Sequence, residues 1–88
     1  MIELKNIDLS KVSIYEQISK VAEEENEFME AFQTYADFKN STNKEHLIEE
    51  FYDRMQSALG LLQKLGTDAD EVMRCYPKHL EKIKNRPR

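Results

Sequence analysis

The sequence predicts an all-α fold, a helical hairpin followed by a C-terminal helix, on three observations. Apolar residues recur at helical spacing in two long stretches: Ile14, Ile18, Val21, Phe28 and Phe32, then Leu47, Phe51, Met55, Ala58, Leu62 and Leu65. The polar run Lys39-Asn40-Ser41-Thr42-Asn43 between them has the composition of a connecting loop. Gly66 directly after the second stretch is suited to a left-handed helix C-cap.

Each element follows from local chemistry. Residues Met1 to Leu9 are mixed in character and read as an irregular or partly ordered arm. Ser10 or Ser13 can cap the first helix, Glu16 stands three after Ser13 as in a capping box, and the helix is expected to run to about Asp37. The second helix is expected from Asn43 or Lys44 to Leu65. Thr67 or Asp68 can cap a third, with Asp70 and Glu71 favourable near the positive end of its dipole. Pro77 interrupts it, and Lys78 to Asn85 can resume as helix with Pro77 in the first turn. No internal repeat, low-complexity segment or linker stands out. The chain reads as a single domain, 1–88, with an N-terminal arm (1–9) and a basic C-terminal segment (78–88).

Composition narrows what such a domain can be. With 88 residues, 40% hydrophobic content and no tryptophan, one hairpin and a tail bury too little surface to offset chain entropy comfortably. A homo-oligomer is therefore expected, a homodimer whose two hairpins form a four-helix bundle or a homotetramer built from it. Cys75 is the only cysteine, and no apolar run approaches the ~20 residues of a membrane span, so a cytoplasmic protein without a membrane partner is expected. The net charge of −4 is uneven: Lys78, Lys82, Lys84, Arg86 and Arg88 against Glu81 leave about +4 in the basic segment and about −8 before it. An acidic body argues against nucleic acid as the main partner.

Four carboxylates carry the functional signal. Glu24 and Glu27 share one face of the first helix, and Glu50 and Asp53 one face of the second. Both glutamates of the first pair fall to one side of its apolar stripe, by roughly 80° and 140°; the second pair precedes its stripe by roughly 90° and 150°. They are thus expected to flank the core rather than enter it. Antiparallel helices are related by a local twofold axis, so equal offsets bring all four acids to one side of the hairpin. Register agrees: Glu24 opposite Asp53 and Glu27 opposite Glu50 imply a common midpoint, which falls at the edge of the polar loop. Such a cluster is costly unless a cation occupies it.

As a pattern, Glu23-Glu24-Glu25-Asn26-Glu27 is EExxE and Glu50-Phe51-Tyr52-Asp53 is ExxD. These motifs, with Lys20-Val21-Ala22 before the first, Glu49 before the second and Leu65-Gly66 closing the second helix, resemble the all-α nucleotide pyrophosphohydrolases of the MazG type, relatives of the dimeric dUTPases and dCTPases. The resemblance runs from about Ile14 to Arg86. It implies Mg²⁺-dependent hydrolysis of a nucleoside triphosphate between its α and β phosphates, giving a monophosphate and pyrophosphate. Glu24, Glu27, Glu50 and Asp53 carry over as metal ligands and catalytic acids, and Glu23 as a further ligand or base, although it points about 180° from the stripe. Oxygen ligands suit Mg²⁺, and Mn²⁺ should substitute.

Two positions depart from the family pattern. Glu25 stands where relatives are commonly apolar, near the stripe centre, and must find water, metal or a cation. Asn26 stands where glycine is frequent. Lys20, four residues before Glu24, is a candidate for orienting it or for contacting phosphate, and Lys78, Lys82 and Arg86 are candidate phosphate contacts by charge. Phe28, Phe32 and Phe51 read as core, Tyr52 as a subunit contact, and Cys75 as a small packed side chain. His46 and His79 lack the ExxH spacing of a di-iron bundle. A narrower dUTPase or dCTPase activity is the alternative among enzymes. A non-catalytic helical regulatory or adaptor protein is the alternative outside them.

Overall fold

The computed structural model describes residues 2–86; Met1 of the arm and Arg88 of the basic segment lie outside them. The described chain is all-helical: α1 (Ile14–Asp37), α2 (Ser41–Lys64), α3 (Ala69–Arg74) and α4 (Tyr76–Lys84). α1 and α2 form an antiparallel hairpin. Among the described residues no helix is long and apolar enough to cross a membrane.

Caps fix the boundaries. Ser13 Oγ accepts from the Glu16 amide at 3.1 Å and starts α1 where the capping pattern placed it. The loop is shorter than its polar composition suggested, because Asn40 Oδ1 accepts from the Asn43 amide at 2.8 Å and so begins α2 at Ser41. Gly66, with φ of 94°, ends α2 in the left-handed region. Asp68 rather than Thr67 caps α3, accepting from the Glu71 amide at 2.9 Å. The break before Pro77 falls at Cys75, which is exposed rather than packed.

The arm has no regular structure but is tied to α2. Gln63 exchanges two hydrogen bonds with the Ile7 backbone, Gln56 Nε2 donates to Lys5 O, and Lys64 Nζ donates to Leu9 O. Asn6 Oδ1 accepts from the Ala69 amide and joins the arm to α3.

The contact between α1 and α2 follows the apolar stripes only in part. On α1 the shielded positions include Ile14, Gln17, Val21, Glu24, Phe28, Ala31 and Tyr35; on α2 they include Asn43, Leu47, Glu50, Arg54, Ser57, Leu61 and Lys64. Both sets alternate steps of three and four, the spacing of a coiled-coil seam. Each helix is therefore turned so that part of its stripe lies beside the seam. Ile18 and Phe32 are each 50% exposed, Phe51 is 42% exposed, and Met29, Ala58, Leu62 and Leu65 are exposed on the same flanks. Phe28 alone of the three phenylalanines expected in the core is half-buried. Among the described residues the buried apolar side chains are Ala31, Leu59 and Ala69, and none is fully buried.

Candidate metal centre

Two of the four acids occupy the seam itself, which corrects the expectation that they only flank the core. Glu24 is 5% exposed and Glu50 9%. They belong to the facing seam rows of α1 and α2, and one oxygen of each, Glu24 Oε2 and Glu50 Oε2, is buried without a hydrogen-bond partner among the described residues. A carboxylate deprived of water and of donors costs several kcal/mol, and two placed together add mutual repulsion.

Asp53 completes a three-residue set with them: each offers an oxygen, and these atoms lie within 4.8 Å of one another. Glu23, Glu24 and Glu27 form a second set of the same compactness, so Glu24 is common to both. The structure thus brings the four acids to one side of the hairpin. Glu27 feels the cluster directly. Loss of hydration, followed by the charges of Glu24 and Glu50, holds its carboxyl above the ordinary glutamate range.

The cations at the cluster are few. Lys20 Nζ lies 2.8 Å from Glu24 Oε1 and 3.7 Å from Glu23 Oε1, and its own pKa is raised chiefly by its bond to Glu24. His46 Nε2 is 3.8 Å from Glu50 Oε1. Each base stands one helical turn before its acid, and the same interval separates Lys20 from His46, Glu23 from Glu49, Glu24 from Glu50 and Glu27 from Asp53. The two helices therefore present corresponding sets about the local twofold axis, a correspondence missed in looking for repeats. The constant interval in the sequence is the signal that reveals it.

Glu25 finds its cation in Arg54 across the hairpin, whose guanidinium also lies over the Phe28 ring, 5.1 Å from its centroid. That pair takes Arg54 away from the four acids. Lys78, Lys82 and Arg86 lie exposed on and just after α4; within the described residues they make no ion pair with the four acids, whose cationic partners are Lys20 and His46, and line no part of the adjoining cleft. Gln17 escaped notice in the sequence, yet it is 3% exposed, donating from Nε2 to Ser57 O at 2.9 Å. Its place one heptad before Glu24 on the seam is the signal that would have found it.

The donor set is all oxygen and all acidic, which suits a hard divalent cation and no softer one. The orphaned seam oxygens would fit such an ion, since Lys20 and His46 approach only the other oxygen of Glu24 and of Glu50. Comparison of the chain with protein-family models, with curated proteins and with solved structures gives no match.

Proposed function

We propose that this chain is a Mg²⁺-dependent nucleoside triphosphate pyrophosphohydrolase that cleaves between the α and β phosphates, as its resemblance to the MazG type implies. The observation that carries the reading is the buried pair Glu24 and Glu50, each with an oxygen lacking any partner, with Asp53 within reach. Glu24, Glu50 and Asp53 would hold the ion, and Glu27 stands ready as a fourth ligand. Bound Mg²⁺ supplies charge neutralisation at the phosphates and a lower pKa for an attacking water. Mn²⁺ is expected to replace it.

The remaining groups have roles that follow from their bonds. Lys20 holds Glu24 Oε1 and leaves its other oxygen free toward the cluster. His46 stands in the same relation to Glu50, at a longer distance. Glu23 is exposed and only loosely paired, so it is free to accept a proton from water at the edge of the site. Glu27, whose carboxyl is held above the ordinary glutamate range by loss of hydration and by its acidic neighbours, is a candidate proton-exchanging group of the cluster.

The working form in this reading is a homo-oligomer. The chain exposes 7107 Å², whereas a compact monomer of this length exposes about 5,400 Å². Its radius of gyration is 15.1 Å, against about 12 Å for a compact domain. The surplus, about 1,700 Å², is the share of one partner in an obligate interface. Part of it is apolar surface on the open stripes, where Ile18, Phe32, Phe51 and Leu62 are exposed. An adaptor role would use that same surface, but it leaves the orphaned carboxylates without a purpose.

A panel of nucleoside triphosphates with Mg²⁺, read separately for phosphate and pyrophosphate, tests the reading. Pyrophosphate release from at least one of them, abolished in Glu50→Gln, supports it. No release from any, with no cation binding, refutes it.

A further inference from the structure

A cleft of about 590 Å³ opens beside the acid cluster. Its lining combines aliphatic side chains, Ile7 and Leu9 of the arm and Val12 just after it, with the polar groups of Glu16, Gln17, Gln56 and Ser57 and with Lys20, Glu24 and Asp53 of the acid cluster. Both glutamines spend their amide nitrogen on a backbone carbonyl. Gln17 Nε2 donates to Ser57 O and Gln56 Nε2 to Lys5 O, each at 2.9 Å, and neither side-chain oxygen accepts a hydrogen bond from the described residues. Gln17 is confined as well: a Cβ built on Gly60 would stand 2.6 Å from its Nε2 and 3.4 Å from Leu9 Cδ1, so Gly60 is the residue that leaves the amide its place.

We propose that this cleft seats a nucleobase bearing an exocyclic amino group, such as cytosine or adenine, with Gln17 Oε1 and Gln56 Oε1 accepting from that group and the arm covering the ring. The inference rests on the reading of the acid cluster as the phosphate end of the site. Gln17 is two helical turns from Glu24, roughly 10 Å along α1, about the span of a nucleoside between its base and its first phosphate. A flat ring against aliphatic side chains with a few oriented polar groups beneath is how small-molecule sites combine affinity with selectivity. A base offering a carbonyl where the amino group should be would face two oxygens with no donor between them, which is the kind of mismatch that discriminates strongly.

Cytidine, without phosphate or metal, is the probe. Titrated into the ¹⁵N-labelled full chain at millimolar concentration, it should move the side-chain amide resonances of Gln17 and Gln56 and the backbone resonances of Leu9 and Val12, with uridine moving them far less. Gln17→Leu, which places an apolar side chain in a helical seam and should fold, is expected to weaken cytidine about tenfold, the cost of one hydrogen bond. No response to cytidine, equal responses to cytidine and uridine, or full affinity in Gln17→Leu would each overturn the proposal. Tripolyphosphate with Mg²⁺ examines the acid cluster separately. Its failure to bind would count against the phosphate site, while the cytidine result would still decide the seat.

Discussion

The two flanks of the hairpin differ in what each leaves unsatisfied. On one, Glu24, Glu27, Glu50 and Asp53 crowd together with only Lys20 and His46 beside them. On the other, Ile18, Met29, Phe32, Phe51 and Leu62 stay open to water. Neither is what an isolated chain would choose, because a buried unpaired charge and a broad exposed apolar face both raise its free energy. The acid flank is specific in what can relieve it, since only a cation of suitable charge fits three or four carboxylate oxygens. The apolar flank is specific only in shape, and a second copy of the chain offers the same twofold-related surface. In the proposed function, the difference gives chemistry to one flank and assembly to the other.

Breaking each flank in turn should have effects of very different kind. Glu50→Gln is expected to have the largest effect, removing both pyrophosphate release and saturable Mn²⁺ binding. In the metal-free chain the same change should stabilise, by on the order of 1 kcal/mol or more, because it removes one of two facing charges. Thermal melting in a chelator would register this as a rise of roughly 4–8 °C per kcal/mol. A fall in metal-free Tm would mean that Glu50 is held by ordinary protein contacts and not by an ion.

Next in size is the apolar flank. Phe32→Glu should shift the chain toward monomer in sedimentation velocity and lower its stability, while leaving Mn²⁺ affinity per chain within a few-fold of the original. Unchanged sedimentation would show that the exposed stripe is not the subunit interface. Smaller effects are expected from the elements that shape the hairpin. Asn40→Ala removes the cap of α2 and should cost about 1 kcal/mol in denaturant unfolding. Arg54→Ala loses a half-exposed ion pair with Glu25 and the contact with Phe28, together about 1 kcal/mol.

The pH response sharpens the contrast. Glu27 has a raised pKa in the folded chain, so the folded state holds its proton more tightly than the unfolded state does. Its contribution is therefore fully present below the ordinary glutamate value of 4.5 and is lost as pH rises through the raised value. In chelator, Tm should decline over that interval. Saturating Mg²⁺ should abolish the decline, since the ion favours the charged form. An identical profile with and without the ion would detach Glu27 from the cation.

Much of this was legible in the residues. Ser13, Gly66 and Asp68 set helix ends through local hydrogen bonding or backbone freedom, which sequence encodes directly. The hairpin and its register followed from polar and apolar spacing, and the four acids do gather on one side. The rotation of the helices was not legible. A stripe such as Ile18 to Phe32 announces that an apolar face will be covered, but not by which neighbour. Here the seam within the chain also uses the adjoining row, Gln17, Glu24, Glu50 and Ser57, whose polar groups hydrogen-bond across it or hold an oxygen without a partner among the described residues. The arm was equally hidden, because its attachment depends on Gln56 and Gln63 reaching distant backbone, with no local pattern to mark it.

A cation held in the seam is tested most directly by calorimetric titration of Mn²⁺ into the metal-free full chain and into Glu50→Gln. Saturable binding to the original chain, lost in the variant, with Tm raised by roughly 10 °C or more at an ion concentration a hundred times the dissociation constant, is the predicted result. Absence of binding to the original chain, or equal binding to both, would contradict it.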